Sequence, residues 1–279
     1  MIKLVVTDLD GTFLDEDKKI SSQNKEAVER LKKNDVKFCI CTGRIYASAL
    51  MISEQVANFF PIISCNGAFI KDPSQNKVLQ SFAIDTSIAI DIIKVLNDLD
   101  ITYHFYNENT IFSNKMERNA KTFYEKFKDQ SFKPINVIVA QDLHRHITSN
   151  TKINKFILFP GKHEAKQKII DYLSSLKHID ITRSGEDNIE IMKQGVSKGT
   201  GVNFLKEKFG YSRDEIMVLG DQHNDLSMFL EADHSIAMGN APTDVKEKAK
   251  FITKTNRESG FAAAVDHLIF GKGDKIVYR

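Results

Sequence analysis

Cysteine is scarce, with three residues in a chain of 279. An odd, small number excludes a disulfide framework and predicts reduced thiols in a cytosol. No apolar stretch approaches the ~18 residues that span a bilayer, so no membrane partner is expected. The opening residues Met1 to Val6 are too short an apolar run for a secretory signal, and they meet Asp8 at once. Neither sign of charge dominates: 39 Lys and Arg against 37 Asp and Glu leave a formal charge of +2. That lacks the basic excess of a nucleic-acid binder. Repeats and low-complexity tracts are missing as well. What is present is a globular composition, 42% hydrophobic and 27% charged, long enough for one large domain or two ordinary ones. A soluble cytoplasmic enzyme is the expectation.

The first third alternates strand and helix. Lys3 to Asp8 is a short apolar run with β-branched Val5 and Val6, which predicts a buried strand. Ser21 and Ser22 precede Ala27, Val28 and Leu31 at helical spacing. Val36 to Cys41 predicts a second strand, Arg44 to Val56 a helix, and Pro61 to Ser64 a third strand closed by Asn66-Gly67. This order predicts a parallel sheet with right-handed crossovers. From about Phe82 the rhythm changes to helices mixed with paired strands, the pattern of a compact α+β unit. Alternation resumes after Ser197. The simplest reading is an α/β fold with a doubly wound parallel sheet in two parts, 1–83 and 190–279, split by an α+β insertion at 84–189. The tail Gly271-Lys-Gly-Asp-Lys275 lacks the strand-then-helix context of a phosphate loop and predicts a flexible end.

The strongest chemical signal is Asp8-Leu9-Asp10-Gly11-Thr12. Carboxylates two residues apart on a strand project from one face, here at the carboxyl end where open α/β sheets bind ligands. One can attack phosphorus while the other protonates the leaving oxygen, provided a cation holds their charges together. An acidic turn is the plain alternative for Asp-X-Asp alone. Thr42-Gly43-Arg44 ends the second strand, with a hydroxyl and helix-opening amides that suit phosphate, although an ordinary cap reads the same way. Lys198 opens a helix, where its charge is misplaced unless an anion sits there. Gly220-Asp221-Gln222-His223-Asn224-Asp225 follows another apolar strand. A capped acidic helix start explains Asn224 and Asp225 but leaves Asp221 over. Hard oxygen ligands from two strand ends suit Mg²⁺.

In this order the four segments resemble the four motifs of the haloacid dehalogenase superfamily. The resemblance is closest to the Cof-type hydrolases (subfamily IIB), whose large α+β cap is inserted between the second and third motifs. Asn66-Gly67-Ala68 and Ala237-Met238-Gly239-Asn240-Ala241 are also strings this group carries. The resemblance covers nearly the whole chain and implies a Rossmann-like core with a cap. It implies Asp8 as nucleophile and metal ligand, and Asp10 as general acid/base that binds the metal through its carbonyl. It implies Asp221 as the third protein ligand of Mg²⁺, with Asp225 standing behind the ligands. Thr42, Gly43, Lys198 and Asn224 would hold phosphate, with Leu9 lending a backbone amide. The expected activity is hydrolysis of small phosphorylated metabolites, sugar phosphates or phosphorylated cofactors and their precursors, through an aspartyl-phosphate.

A phosphomutase would use the same intermediate, and no residue decides between the two. A regulator that binds a phospho-ligand without turnover would not need both Asp8 and Asp10. Cys39 and Cys41 lack zinc-site spacing and read as buried thiols, as does Cys65. His144 and His146 are too isolated to propose a metal. His223 sits within the fourth motif and reads equally well as facing substrate or as solvated. Phe123 and Phe127 have the spacing of cap core.

Overall fold

The computed structural model describes residues 1–131, 133–148, 150–161, 163–185, 187–273 and 276–278. Asp274 and Lys275 of the expected flexible tail therefore lie outside the described residues. The chain opens with β1 (Leu4–Thr7), α1 (Ser22–Lys33), β2 (Lys37–Ile40), α2 (Tyr46–Glu54), β3 (Ile62–Ser64), β4 (Phe69–Asp72) and β5 (Lys77–Ser81). There follow α3 (Thr86–Asp98), β6 (Thr102–Tyr106), β7 (Thr110–Ser113), α4 (Arg118–Phe127) and β8 (Asn136–Val139). Then come β9 (Lys155–Phe159), α5 (His163–Ser175), β10 (Ile179–Thr182) and β11 (Ile189–Lys193). The last part holds α6 (Lys198–Phe209), β12 (Ile216–Gly220), α7 (Leu226–Phe229) and β13 (His234–Ala237). It closes with α8 (Thr243–Lys246), β14 (Phe251–Ile252), α9 (Gly260–Leu268) and β15 (Val277–Tyr278).

Local signals account for the central elements. Every residue of β1 and β12 is buried, as expected of strands covered on both faces. Helix α1 starts where Ser21 accepts the Asn24 N–H at 3.2 Å, and it buries Ala27, Val28 and Leu31. Helix α6 starts on Ser197, which exchanges hydrogen bonds with Thr200 in a capping box.

The first sheet runs β15-β14-β13-β12-β1-β2 and is parallel except at the β14–β15 edge. One face packs Val5, Phe13 and Phe38 against Phe261 of α9, and the other packs Val6 and Val218 against Val202 and Leu205 of α6. Helices on both faces make the fold α/β and doubly wound. The third strand meets expectation in part. It runs parallel past the end of β2 through a bridge between Cys41 and Ile63, but its ladder is an antiparallel sheet with β4 and β5. Cys65 and Asn66 take φ of 49° and 54°, and this tight turn folds β4 straight back onto β3.

The remaining sheet runs β10-β11-β9-β6-β7-β8. Its β11 carries the sheet past residue 189 to Lys193, because Glu190 and Ile191 pair with β9 while Met192 and Lys193 pair with β10. Tyr103, Phe105, Phe156 and Leu158 face α3 and α5, while Tyr106, Ile157 and Met192 face Ile45, Ala47 and Cys65 of the first part. This second face lies over the ends of β2 and β3.

Candidate active site

The site forms where the sheet changes direction. From β1 the chain moves to β2 on one side, while β12 pairs on the other and leads away to β13. A crevice opens beyond the carboxyl ends of strands at such a point. Thr7 is level with Leu219, and the Asp8 N–H donates to the Leu219 carbonyl at 3.0 Å. Asp8 and Asp221 therefore leave neighbouring strands side by side. Gly11 permits the approach. Its φ is +80°, and a Cβ there would lie 2.3 Å from Asp221 Oδ2. Thr12 Oγ1 donates to Asp221 Oδ1 at 2.8 Å.

Lys198 is fully buried beneath this pair, with Nζ 2.7 Å from Asp8 Oδ1 and 2.6 Å from Asp225 Oδ1. Asp225 Oδ2 accepts the N–H groups of Asp221 and Gln222 at 2.8 and 2.9 Å. Both oxygens of Asp225 are thus engaged, and it holds the Asp221 loop and the lysine in place. One ammonium does not balance three carboxyls. Burial pushes Asp8 up to about 7 against the pull of Lys198, with Asp225 and Asp10 adding repulsion. Asp221 is pushed up to about 8 by burial and by the charges of Asp225 and Asp8. The Lys198 ammonium loses by burial but gains more from Asp225 and Asp8, so it is held protonated.

Asp8, Asp221 and Asp225 offer carboxylate oxygens within 4.8 Å of one another, a buried acidic cluster able to hold a metal ion. All-oxygen donors and two carboxyls that resist ionisation for want of positive charge fit a hard divalent cation. Asp225 is tied through both oxygens to Lys198 and two amides, whereas the contacts of Asp8 with Lys198 and of Asp221 with Thr12 each engage Oδ1.

Asp10 stands apart from the cluster. Arg44 Nε and Nη2 donate to its two oxygens at 2.7 Å each, and Lys18 Nζ lies 2.9 Å from Oδ1. Burial alone would raise its carboxyl, yet these cations hold it well below the usual carboxylate range. Leu9, between the two acids, is fully buried, and its carbonyl accepts the N–H groups of Thr12 and Leu14. Thr42 and Gly43 leave β2 beside Asp8, for the Cys41 N–H donates to the Thr7 carbonyl at 2.8 Å. Thr42 Oγ1 accepts the Arg44 N–H at 3.2 Å. Asn224 Nδ2 donates to Asn66 Oδ1 at 3.3 Å, and its own Oδ1 is buried with no partner among the described residues. Every residue singled out from the motifs thus lies at this one end of the sheet.

Beside Lys198 and Asn224 is a cavity of about 270 Å³, lined by Asp180, Thr182 and Met192 across from His223 and Ser227. His223 borders it while pairing with Asp244, Nε2 to Oδ2 at 2.7 Å. Cys39, Cys41 and Cys65 are buried free thiols, and burial raises Cys65 to about 12. Phe127 is buried and Phe123 stacks on it. Sequence reasoning missed Lys155 and Glu190, a buried pair next to Gly43 and Asn66. The available signal was a charged residue at the head of the apolar strand β9 and another inside β11.

The model of the haloacid dehalogenase-like hydrolase family matches residues 5–265. The 5-amino-6-(5-phospho-D-ribitylamino)uracil phosphatase YitU of Bacillus subtilis is 32% identical over 268 residues, covering 93% of this chain and 94% of its own. YcsE of the same organism, named for the same activity, is 29% identical, with 96% of each chain covered. A solved haloacid dehalogenase-like hydrolase from B. subtilis has a TM-score of 0.85 at 24% identity, covering 96% of this chain and 100% of that one.

Proposed function

Since the chain belongs to the haloacid dehalogenase-like hydrolases, we propose that it is a Mg²⁺-dependent phosphatase of small phosphorylated metabolites, working through an aspartyl-phosphate on Asp8. The observation that carries this reading is Asp8 at a strand end, 2.7 Å from the buried Lys198 and beside Asp221. Asp8, Asp221 and the Asp10 carbonyl would hold Mg²⁺. When bound, the ion offsets the negative charge of the carboxylates and the phosphoryl oxygens.

Lys198, Thr42, Gly43, Asn224 and the Leu9 amide bind and orient the phosphoryl group. An Asp8 carboxylate oxygen attacks phosphorus, the bond to the leaving oxygen breaks, and Asp10 gives that oxygen a proton. Asp10 then takes a proton from the water that attacks the same phosphorus, which frees inorganic phosphate and restores Asp8. Fixed donors aimed at the phosphoryl oxygens supply the electrostatic share of the rate. The grip of Arg44 and Lys18 keeps Asp10 ionised, so it suits the base role as it stands and has to be released to act as acid.

YitU and YcsE direct the choice of first substrate to 5-amino-6-(5-phospho-D-ribitylamino)uracil, a phosphorylated sugar alcohol on a heterocycle. The polar rim of Asp180, Thr182, His223 and Ser227 suits hydroxyl-rich leaving groups. A panel of this ester, sugar phosphates and phosphorylated cofactors, assayed for phosphate release with Mg²⁺, tests the reading. Release from none of them refutes it.

A further inference from the structure

Lys155 and Glu190 form an ion pair of 2.5 Å with each side chain only 2% exposed, and neither takes part in the reaction steps above. Burying two charges is costly, and an apolar replacement of such a pair is often neutral or stabilising. Stability alone is therefore a poor reason for this one. The reason lies in what the pair holds. Lys155 Nζ donates to the Gly43 carbonyl at 2.9 Å. Glu190 accepts Asn66 Nδ2 on Oε2 at 2.6 Å and Ser184 Oγ on Oε1 at 2.7 Å. Asn66 passes the connection on: its N–H donates to the Thr42 carbonyl at 3.0 Å, and its Oδ1 accepts from Asn224 at 3.3 Å. Crowding confirms how close these groups stand, for a Cβ on Gly43 would lie 2.9 Å from Asn66 Oδ1 and 3.0 Å from Lys155 Nζ.

Lys155 and Glu190 come from β9 and β11, neighbouring strands of the inserted sheet, whereas Gly43 and Asn66 belong to the first part of the chain. We infer that Lys155 and Glu190 are positioning residues that set the phosphate cradle from the inserted unit. Lys155 fixes the Thr42–Gly43 loop by its carbonyl, and Glu190 fixes Asn66 and through it Asn224. The inference rests on the phosphatase reading only in taking Thr42, Gly43 and Asn224 as phosphate-holding groups. Docking of the inserted sheet and completion of the cradle are then one event.

Two double variants test this. Lys155→Met/Glu190→Gln removes both charges without leaving either unpaired, and Lys155→Met/Glu190→Leu also removes the acceptor for Asn66. Melting temperature, the Kd of inorganic phosphate with Mg²⁺, and the KM and kcat for p-nitrophenyl phosphate are compared with wild type. The first variant is expected to melt near the wild-type temperature while phosphate Kd and KM rise about tenfold. The second is expected to approach a hundredfold, the scale of loss when a positioned group shifts by about 1 Å. Should the second fail to fold, the first still decides. A folded Lys155→Met/Glu190→Gln protein with wild-type phosphate Kd and KM overturns the inference. The phosphate-binding measurement needs no turnover. A wild-type protein that binds phosphate but hydrolyses no ester refutes the proposed function and leaves this inference to be judged on Kd alone.

Discussion

Arg44 grips Asp10 with two parallel hydrogen bonds, Nε to Oδ2 and Nη2 to Oδ1, both 2.7 Å. Such a bidentate pair fixes orientation as well as charge. Asp10 is thereby held outside the cluster of Asp8, although only Leu9 separates the two acids in sequence. The two acids have opposite electrostatics: Asp8 is pushed up by burial, and Asp10 is held down by Arg44 and Lys18 in spite of burial. Groups driven apart in this way are suited to different roles in one reaction.

Asp8→Asn keeps the shape of the side chain and removes the nucleophile. Turnover should fall to background, and no phosphate should attach to the protein. Rapid acid quench followed by mass spectrometry of the Asp8 peptide checks the second point. Substantial residual turnover would contradict the assignment.

Asp10→Asn removes the proton donor while leaving the nucleophile. Hydrolysis of alkyl phosphates should drop by about 10²–10⁴-fold, the usual worth of a positioned acid or base. An aryl phosphate, whose leaving group departs with little protonation, should suffer less in the first step. The second step still lacks its base, so labelled phosphate should accumulate on Asp8. Equal losses with both esters would count against the role given to Asp10.

Metal and pH should act on stability together. Asp8 and Asp221 have folded values raised to about 7 and about 8, above those of unfolded carboxyls. A group raised on folding binds its proton more tightly in the native state, so the stability it lends is present at low pH and lost as pH rises through the folded value. In chelator, the melting temperature should therefore fall by several degrees between about pH 5 and pH 8. Mg²⁺ should restore more at the upper end than at the lower, because it replaces the missing protons. Activity should vanish in chelator, and Ca²⁺ should support little turnover because its coordination is larger and looser. A melting temperature in chelator that is flat with pH would show that the cluster is not charge-starved.

Gly11→Ala places a methyl group 2.3 Å from Asp221 Oδ2 and also strains a φ of +80°. The backbone term alone costs about 1–2 kcal/mol. Asp221 must move, so turnover and the protection given by Mg²⁺ against thermal unfolding should both decline sharply. Differential scanning calorimetry with and without the ion separates the two. A variant with normal protection by Mg²⁺ would remove Asp221 from the ligand set.

The sequence made the catalytic end of the sheet readable because its signals are local. Strand β1 is a buried apolar run ending in two acids, and β12 repeats the pattern before Asp221. The start of the Lys198 helix was readable, and in the structure Ser197 caps it there. Strand β5 escaped notice because its residues are exposed or half-buried and carry no period of two, and β8 for similar reasons. The parallel approach of β3 to β2 was foreseen, but its antiparallel ladder with β4 was not, for nothing in Ile62-Ile63-Ser64 announces a second neighbour. Lys155 and Glu190 stand out in the sequence only as charges in apolar strands; their pairing across 35 residues, and the contact of Lys155 with Gly43 112 residues away, were out of reach. Only the folded chain puts them together.

Strand β1 lies between β2 and β12 in its sheet, so Leu4 waits for Ile216 to complete its pairing. On the ribosome, this strand has one flank open until the chain has grown past the whole inserted unit. Until then Thr12 lacks the Asp221 carboxyl 209 residues downstream, and Lys198 lacks Asp225. The chain thus passes most of its synthesis with an unpaired apolar strand edge that is open to mispairing or to a chaperone. A polypeptide released early, before Asp221 and Asp225 are made, holds Asp8 without the other two carboxyls of the acidic cluster.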